Sequence, residues 1–493
     1  MKRTKIICTL GPSTSTLEQI IALIENGMDV ARLNFSHGTH DEQKQRIELV
    51  REASRQTGKP IAILQDLQGP KIRIGELIKN VLLNPGDKLR ITTEDIIGDY
   101  DVVSTSYKEI VNDVQPGDTI LVDDGRIELK VLSKTKTDVD TQIVIGGILK
   151  PHKGLNLPGV RMSVPSLSEK DQRDLEFGLE NGVDMVALSF VRSENDILDL
   201  KERIRTRARQ PWIIAKIEKP EAIGCIDEII VEADGIMVAR GDLGVEMKTA
   251  EVPVLQKRIV EKCNRLRKPV IIATQMLESM IENPRPTRAE ANDVANAVFD
   301  GTDAVMLSGE TAAGEYPVEA VNTMREIIER VEAEMLSPNS TKMGAAHQPE
   351  HPNFRCIDID EAVASSSVQI AESLAAKAIV VLTHSGMTAI KVSKQKPSCP
   401  VIAMTDSEIV QKWMSLVWGV QSLVTKTMQS TDTCFQIMEE LLIENGLVSA
   451  GDTIVYTMGI PVLEHGRTDT IKVARIDEES RFYAGKKRSE GSV

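Results

Sequence analysis

Lys216 and Glu218 lie two residues apart in the segment IIAKIE (213–218). On an extended strand that spacing puts both on one face, so an ammonium and a carboxylate project side by side. Asp242 follows in RGDLG (240–244), where Gly241 and Gly244 let backbone approach a ligand. Two carboxylates from successive segments, with no His or Cys beside them, suit a hard cation. Mg²⁺ or Mn²⁺ fits this donor set and Zn²⁺ does not. The simpler alternative is that Glu218 only pairs with Lys216. Arg32 and Arg73 lie on either side of Asp66 in the chain, and arginine grips phosphate bidentately. Three cations beside two metal-type carboxylates fit phosphoryl transfer, where positioning and charge neutralisation carry most of the catalysis. The chain has neither GxxxxGK[ST] nor GxGxxG, so any nucleotide binds without those cradles.

Chemistry of this kind needs elements that aim the side chains at one point. Residues 1–69 and 166–335 alternate short β-rich apolar runs with longer amphipathic stretches. The runs are KIICTLG (5–11), VARLNFS (30–36), IAILQDL (61–67), MVALSF (185–190), IIAKIE, GIMVAR (235–240), VIIATQM (270–276) and AVMLSGE (304–310). Eight βα units predict a closed (β/α)₈ TIM barrel rather than an open sheet. Active sites sit at the C-terminal ends of such strands, and polar groups accumulate there. Strand two ends in Arg32, Asn34 and Ser36, and strand three in Asp66. Strand five ends in Lys216 and Glu218, strand six in Arg240 and Asp242, strand seven in Thr274, and strand eight in Ser308 and Glu310. Any one of these is easily a strand-end cap, but the set is hard to explain that way.

Residues 70–165 break the rhythm. Turns at NPGD (84–87), QPGD (115–118) and VDDG (122–125) separate short strands, predicting a small inserted β-barrel that covers the mouth as a lid. Residues 336–355 are polar and proline-bearing and read as a linker. Residues 356–493 alternate again, with strands at 379–383, 401–405, 422–425, 453–458 and 470–474. They predict a doubly wound α/β domain whose core includes Trp413 and Trp418. The 493 residues fit about three domains. Lys and Arg total 59 against 73 Asp and Glu, a net −14, which disfavours nucleic acid as a partner. No stretch approaches the ~20 apolar residues that span a bilayer, and the six cysteines are dispersed, as in a reducing compartment. A cytoplasmic location, away from any membrane, is the expectation.

The motifs RLNFSHGTH (32–40), LQDLQGPKIR (64–73), KGLNLPG (153–159), AKIEKPEAI (215–223), DGIMVARGDLGVE (234–246), ATQMLESM (273–280) and NPRPTRAEANDVANAVFDGTDAVMLSGETAAGEYP (283–317) resemble pyruvate kinase. The resemblance runs unbroken from residue 4 to about 335 and more weakly to about 475. It implies phosphoryl transfer from phosphoenolpyruvate to ADP, giving pyruvate and ATP in the last step of glycolysis. By that resemblance Glu218 and Asp242 are the Mg²⁺ ligands, with Mn²⁺ as a substitute. Lys216 stabilises the migrating phosphoryl group and Arg32 binds it. Gly241, Asp242 and Thr274 form the substrate pocket. Arg73, Lys153, Asn34 and His37 contact the nucleotide phosphates, which requires the lid to close over the site. Ser308 and Thr274 assist protonation of the enolate.

Many members need K⁺ and carry an acid in GPEIR; here GPKIR places Lys71 at that position. Asn34, Ser36, Asp66 and Leu67 match the monovalent-cation ligands, and the Lys71 ammonium implies that K⁺ is not required. A phosphorylated allosteric effector is implied at Thr383, Ser385, Gly386 and Thr388, completed by the loop MGIPVLEHGRTDTIKV (458–473). A homotetramer is the family expectation. Two other readings remain open from the residues: a pyruvate-directed lyase or aldolase, since Glu and Asp on Mg²⁺ also suit enolate chemistry, and a metabolite-binding regulator without activity. Arg73 and Lys153 argue against the first; the presence of Lys216, Glu218 and Asp242 argues against the second.

Overall fold

A computed structural model describes residues 2–337, 358–425, 431–460 and 467–477. The predicted linker falls mostly outside this range, as do residues 461–466 of the second effector loop.

Eight parallel strands close into a barrel: β1 (Lys5–Thr9), β2 (Val30–Asn34), β3 (Ala62–Asp66), β4 (Met185–Leu188), β5 (Trp212–Ile217), β6 (Gly235–Ala239), β7 (Val270–Ala273) and β8 (Ala304–Leu307). Each pairs with its sequence neighbours, and Lys5 opposite Ala304 closes the ring. All eight coincide with the apolar runs. Their side chains alternate between two cores. Ile6, Cys8, Ile63, Ile213 and Ala215 face the surrounding helices. Ile7, Val30, Leu64, Met185, Ala187, Ile214 and Met237 fill the interior. Strands buried on both faces must be apolar throughout, which is why they read as continuous runs. Threonine and serine start most of the intervening helices well. Thr16, Thr39, Ser168 and Thr287 each cap a helix reciprocally with the residue at its third position.

The segment inserted after β3 has its own core, built on Ile91, Val103, Ile120, Leu129 and Val139. The expected small β-barrel is found as two sheets. One has six strands, Lys88–Thr92, Val102–Ser104, Thr119–Val122, Ile127–Lys134, Asp138–Ile145 and Leu155–Asn156; the other pairs Val81–Leu83 with Gly147–Leu149. Irregularities beside Leu129 and between Val131 and Ser133 interrupt the longest ladder, and bulges of this kind bend a sheet.

Beyond residue 358 a fourth sheet runs in the order β11 (Val420–Val424), β10 (Val401–Thr405), β9 (Ala378–Leu382), β12 (Thr453–Met458), β13 (Thr470–Arg475). The first four are parallel and β13 is antiparallel. The strand order reverses at β9, the switch point at which doubly wound sheets hold ligands. Trp413 does not stay within this domain's core as predicted. It stacks on Trp212 at the base of the barrel, with centroids 5.2 Å apart, and its indole N–H donates to the Asp184 carbonyl. Cys8, Cys225, Cys263, Cys399 and Cys434 are all free thiols, and among the described residues no helix is long and apolar enough to cross a membrane.

Candidate functional site

The inward face that carries apolar side chains through the barrel ends, at the C-terminal rim, in polar ones. Ile7 is followed two residues on by Thr9, Val30 by Arg32, Leu64 by Asp66, Ala187 by Ser189, and Ile214 by Lys216 and then Glu218. The period of two that packs the interior therefore also aims these groups at one point.

They form one hydrogen-bonded cluster. The Lys216 ammonium lies 3.1 Å from Asp66 Oδ1 and 2.9 Å from Glu218 Oε1, and it donates to Ser189 Oγ at 2.7 Å. Arg32 Nε donates to Asp66 Oδ2 at 2.7 Å, and Arg32 Nη1 to Thr9 Oγ1 at 2.8 Å. All four charged side chains are buried. Burial opposes ionisation of Asp66, but Lys216 and Arg32 outweigh it and hold the carboxyl below its usual range. Burial likewise opposes the Lys216 charge; Asp66 and Glu218 outweigh that and keep the ammonium protonated well above the ordinary lysine range. Glu218 differs. Burial pushes it up, Lys216 pulls it down, the Asp242 charge pushes it up again, and the net lies above the usual carboxylate range.

Asp242 stands in the first turn of the helix Arg240–Glu246. The repulsion between Glu218 and Asp242 is the environment that a divalent cation between them relieves. Their oxygen-only donors fit Mg²⁺ or Mn²⁺. Among the described residues no three His, Cys, Asp or Glu side chains gather as a complete metal cage, so the remaining positions would fall to substrate and water.

Thr274 Oγ1 accepts from the Gly241 N–H at 2.8 Å, next to Asp242. Its φ of 68° is left-handed, which a β-branched residue adopts only under strain. Arg240 holds it there: Nη2 donates to the Thr274 carbonyl at 2.8 Å while Nη1 is anchored on Asp293 at 2.7 Å. The Ser308 N–H donates to Glu310 Oε2.

At the rim, Arg73, Lys71, Arg32 and Lys170 all act on His37. Burial first, and then these four cations, lower its pKa. The structure thus brings Arg32, Lys71, Arg73 and His37 to one basic edge. Lys153 borders this edge through its backbone, its carbonyl accepting from the Ile74 N–H at 2.9 Å, while its ammonium lies 2.7 Å from Asp123 within the inserted segment. Asn34 Oδ1 accepts from the Ser36 N–H at 3.0 Å, and the Leu67 carbonyl from Ser189 Oγ at 2.7 Å. Thr9 and Ser189 complete the cluster but escape the sequence reading, which took no residue from the ends of β1 and β4. Their signal was position alone, two residues beyond an inward apolar side chain.

At the C-terminal edge of β9, the Gly386 N–H donates to Thr383 Oγ1 at 2.9 Å, and Thr388 Oγ1 lies 2.6 Å from Thr468 Oγ1. Gly386 has φ 84°, and a Cβ there would meet Met414 Cε at 2.6 Å, so no other residue fits without displacement.

Comparison with known proteins agrees with this architecture. The family model "Pyruvate kinase, barrel domain" matches residues 1–321, and "Pyruvate kinase, alpha/beta domain" matches residues 361–474. The chain is 45% identical to a pyruvate kinase of Geobacillus stearothermophilus over 486 residues, covering 97% of this chain and 81% of that one. It is 44% identical to a pyruvate kinase of Staphylococcus aureus, again over 486 residues and with the same shares covered. A crystal structure of a pyruvate kinase from Cryptosporidium parvum superposes with a TM-score of 0.87 at 36% identity, covering 96% of each chain. With an eight-stranded barrel and both of its domains matched, the chain belongs to the pyruvate kinase family of phosphotransferases.

Proposed function

We propose that the chain transfers the phosphoryl group of phosphoenolpyruvate to ADP, with a divalent cation held by Glu218 and Asp242. The supporting observation is the Lys216 ammonium, fixed between Asp66 and Glu218 at the barrel mouth, where the Asp242 charge also acts on it. A bound Mg²⁺ would supply charge neutralisation for the substrate carboxylate and phosphoryl oxygens. The remaining work falls to the chain's own groups. Arg32, clamped on Asp66 and Thr9, presents its free N–H groups to the phosphate. The phosphorus–oxygen bond to the enol breaks as a terminal oxygen of ADP bonds to phosphorus, and Lys216 neutralises the group in flight. Thr274 and the Gly241 backbone seat the carboxylate end. The enolate then takes a proton at its methylene carbon from a water held by Ser308 and Thr274.

Arg73, His37 and Asn34 receive the nucleotide phosphates. Lys153 joins them when residues 70–165 close as a lid over the barrel of residues 1–69 and 166–335, which also excludes water. K⁺ is not needed. Lys71 supplies its charge at the rim, and Asp66, Asn34 and the Leu67 carbonyl are already engaged within the protein. A phosphorylated effector binds Thr383, Ser385, Gly386 and Thr388, where the position of this loop at the switch point supports the reading. The active form is a cytoplasmic homotetramer. A coupled pyruvate-release assay tests the reaction: turnover requires phosphoenolpyruvate, ADP and Mg²⁺ together, and Lys216→Met lowers kcat by at least about 10³-fold. Pyruvate release at the same rate without ADP refutes it.

A further inference from the structure

Behind the two metal-type carboxylates lies a buried ion pair with no part in the phosphoryl chemistry. Lys219, next to Glu218, donates to Glu246 Oε1 at 2.6 Å, and the two side chains are only 4% and 1% exposed. Glu246 ends the short helix that carries Asp242 in its first turn. The pair therefore ties the end of β5, which presents Glu218, to the helix that presents Asp242. A buried ion pair gains little stability over apolar side chains of the same volume, so stability alone does not account for it.

The inserted segment touches this pair directly near its C-terminal root. Asn156 Nδ2 donates to the same Glu246 Oε1 at 2.9 Å. Glu246 Oε2 is buried and has no hydrogen-bond partner, so the Lys219 and Asn156 bonds fix that carboxylate through one oxygen. The Lys219 ammonium also lies 5.7 Å from the Phe190 ring centroid. Phe190, at φ 55°, donates its N–H to Glu218 Oε2 at 2.8 Å. Its ring lies against Gly69, where a Cβ would come within 2.6 Å of it.

We propose that Lys219 and Glu246 are positioning residues that set the separation of Glu218 and Asp242, with Asn156 as the contact through which the inserted segment bears on that separation. The proposal rests on Glu218 and Asp242 holding the divalent cation. It predicts that metal affinity, measured without substrate, depends on residues that never touch the metal.

The test is a Mn²⁺ titration of the full-length chain, reading free Mn²⁺ by electron paramagnetic resonance in the absence of substrates. Lys219→Met and Glu246→Gln each weaken Mn²⁺ binding by roughly 10-fold, Asn156→Ala weakens it severalfold, and Lys219→Arg restores most of the affinity. Unchanged Mn²⁺ affinity in the two single variants overturns the proposal, as does a loss that Lys219→Arg fails to recover. Should a stranded charge prevent either single variant from folding, the combined Lys219→Met and Glu246→Leu variant strands none and must show the same weakening. Asp242→Asn separates the two levels. If it binds Mn²⁺ as the parent does, the metal assignment itself falls. If it loses binding while the Lys219 and Glu246 variants keep theirs, only the positioning role falls.

Discussion

Lys394→Met tests how the α/β domain is held to the barrel. Lys394 follows the helix Met387–Ser393 and pairs with Asp303, which precedes β8; both side chains are fully buried. The ammonium also donates to Asn264 Oδ1 at 2.8 Å. The Asp303 carboxylate accepts from the Val270 N–H at 2.9 Å and from the Trp418 N–H at 3.4 Å. Those two bonds exist already, so they do not offset the loss of the lysine. Methionine fills much of the same volume but leaves a buried carboxylate without its hydrogen-bonded counter-charge, with Lys396 the cation left acting on it from further off, at a cost of roughly 3–5 kcal/mol. At about 2–4 °C per kcal/mol, that lowers Tm by roughly 6–20 °C. The pair joins two domains, so unfolding should be followed by calorimetry and fluorescence together. Fluorescence is informative because the chain's 3 tryptophans are Trp212, Trp413 and Trp418, and all three sit at this junction. Adding Asp303→Asn removes the stranded charge and keeps one acceptor oxygen, enough for the 2.9 Å bond from the Val270 N–H though not also for the long one from the Trp418 N–H, so the double variant recovers most of the loss. A single variant that loses less than about 1 kcal/mol, or a double variant no better than the single, refutes the reasoning.

Lys71→Glu imposes dependence on K⁺: in tetramethylammonium chloride the variant loses turnover that KCl restores, whereas the parent is active in both. Lys396 carries a pH prediction. Burial lowers its pKa to about 7; Asp303 and Glu332 resist this, and Lys394 and Arg3 assist it. The unfolded chain, with the ordinary lysine value, binds more protons between pH 7 and 10.5, so this group makes stability rise with pH across that window. Lys396→Met is therefore more stable than the parent near pH 6, and the gain shrinks towards pH 10; urea unfolding at both pH values measures it, and an equal gain at the two would contradict the assignment.

The barrel was legible because strands buried on both faces leave uninterrupted apolar runs, and all eight did. Lys216 and Glu218 were legible because a period of two needs no tertiary information. Thr9 and Ser189 were not, since a small hydroxyl at a strand end has no distinctive pattern until the opposing strands bring Arg32 and Lys216 to it. The inserted segment gave its turns but not its closure: NPGD, QPGD and VDDG mark reversals, whereas the division into six strands and two depends on pairings across the whole segment. Trp413 was read as internal to its own domain because an aromatic side chain does not show in sequence which core it joins. The Lys153 ammonium pairs with Asp123, and its reach to a nucleotide depends on where the inserted segment stands relative to the barrel, which no local pattern encodes.

A crystal structure with Mg²⁺ and oxalate, which mimics the enolate of pyruvate, bears most directly on the central claim. The account places the ion between the Glu218 and Asp242 carboxylates, with oxalate oxygens on the metal and the Lys216 ammonium beside them. An ion bound at any other group of side chains, with Glu218 still paired only to Lys216, would contradict it.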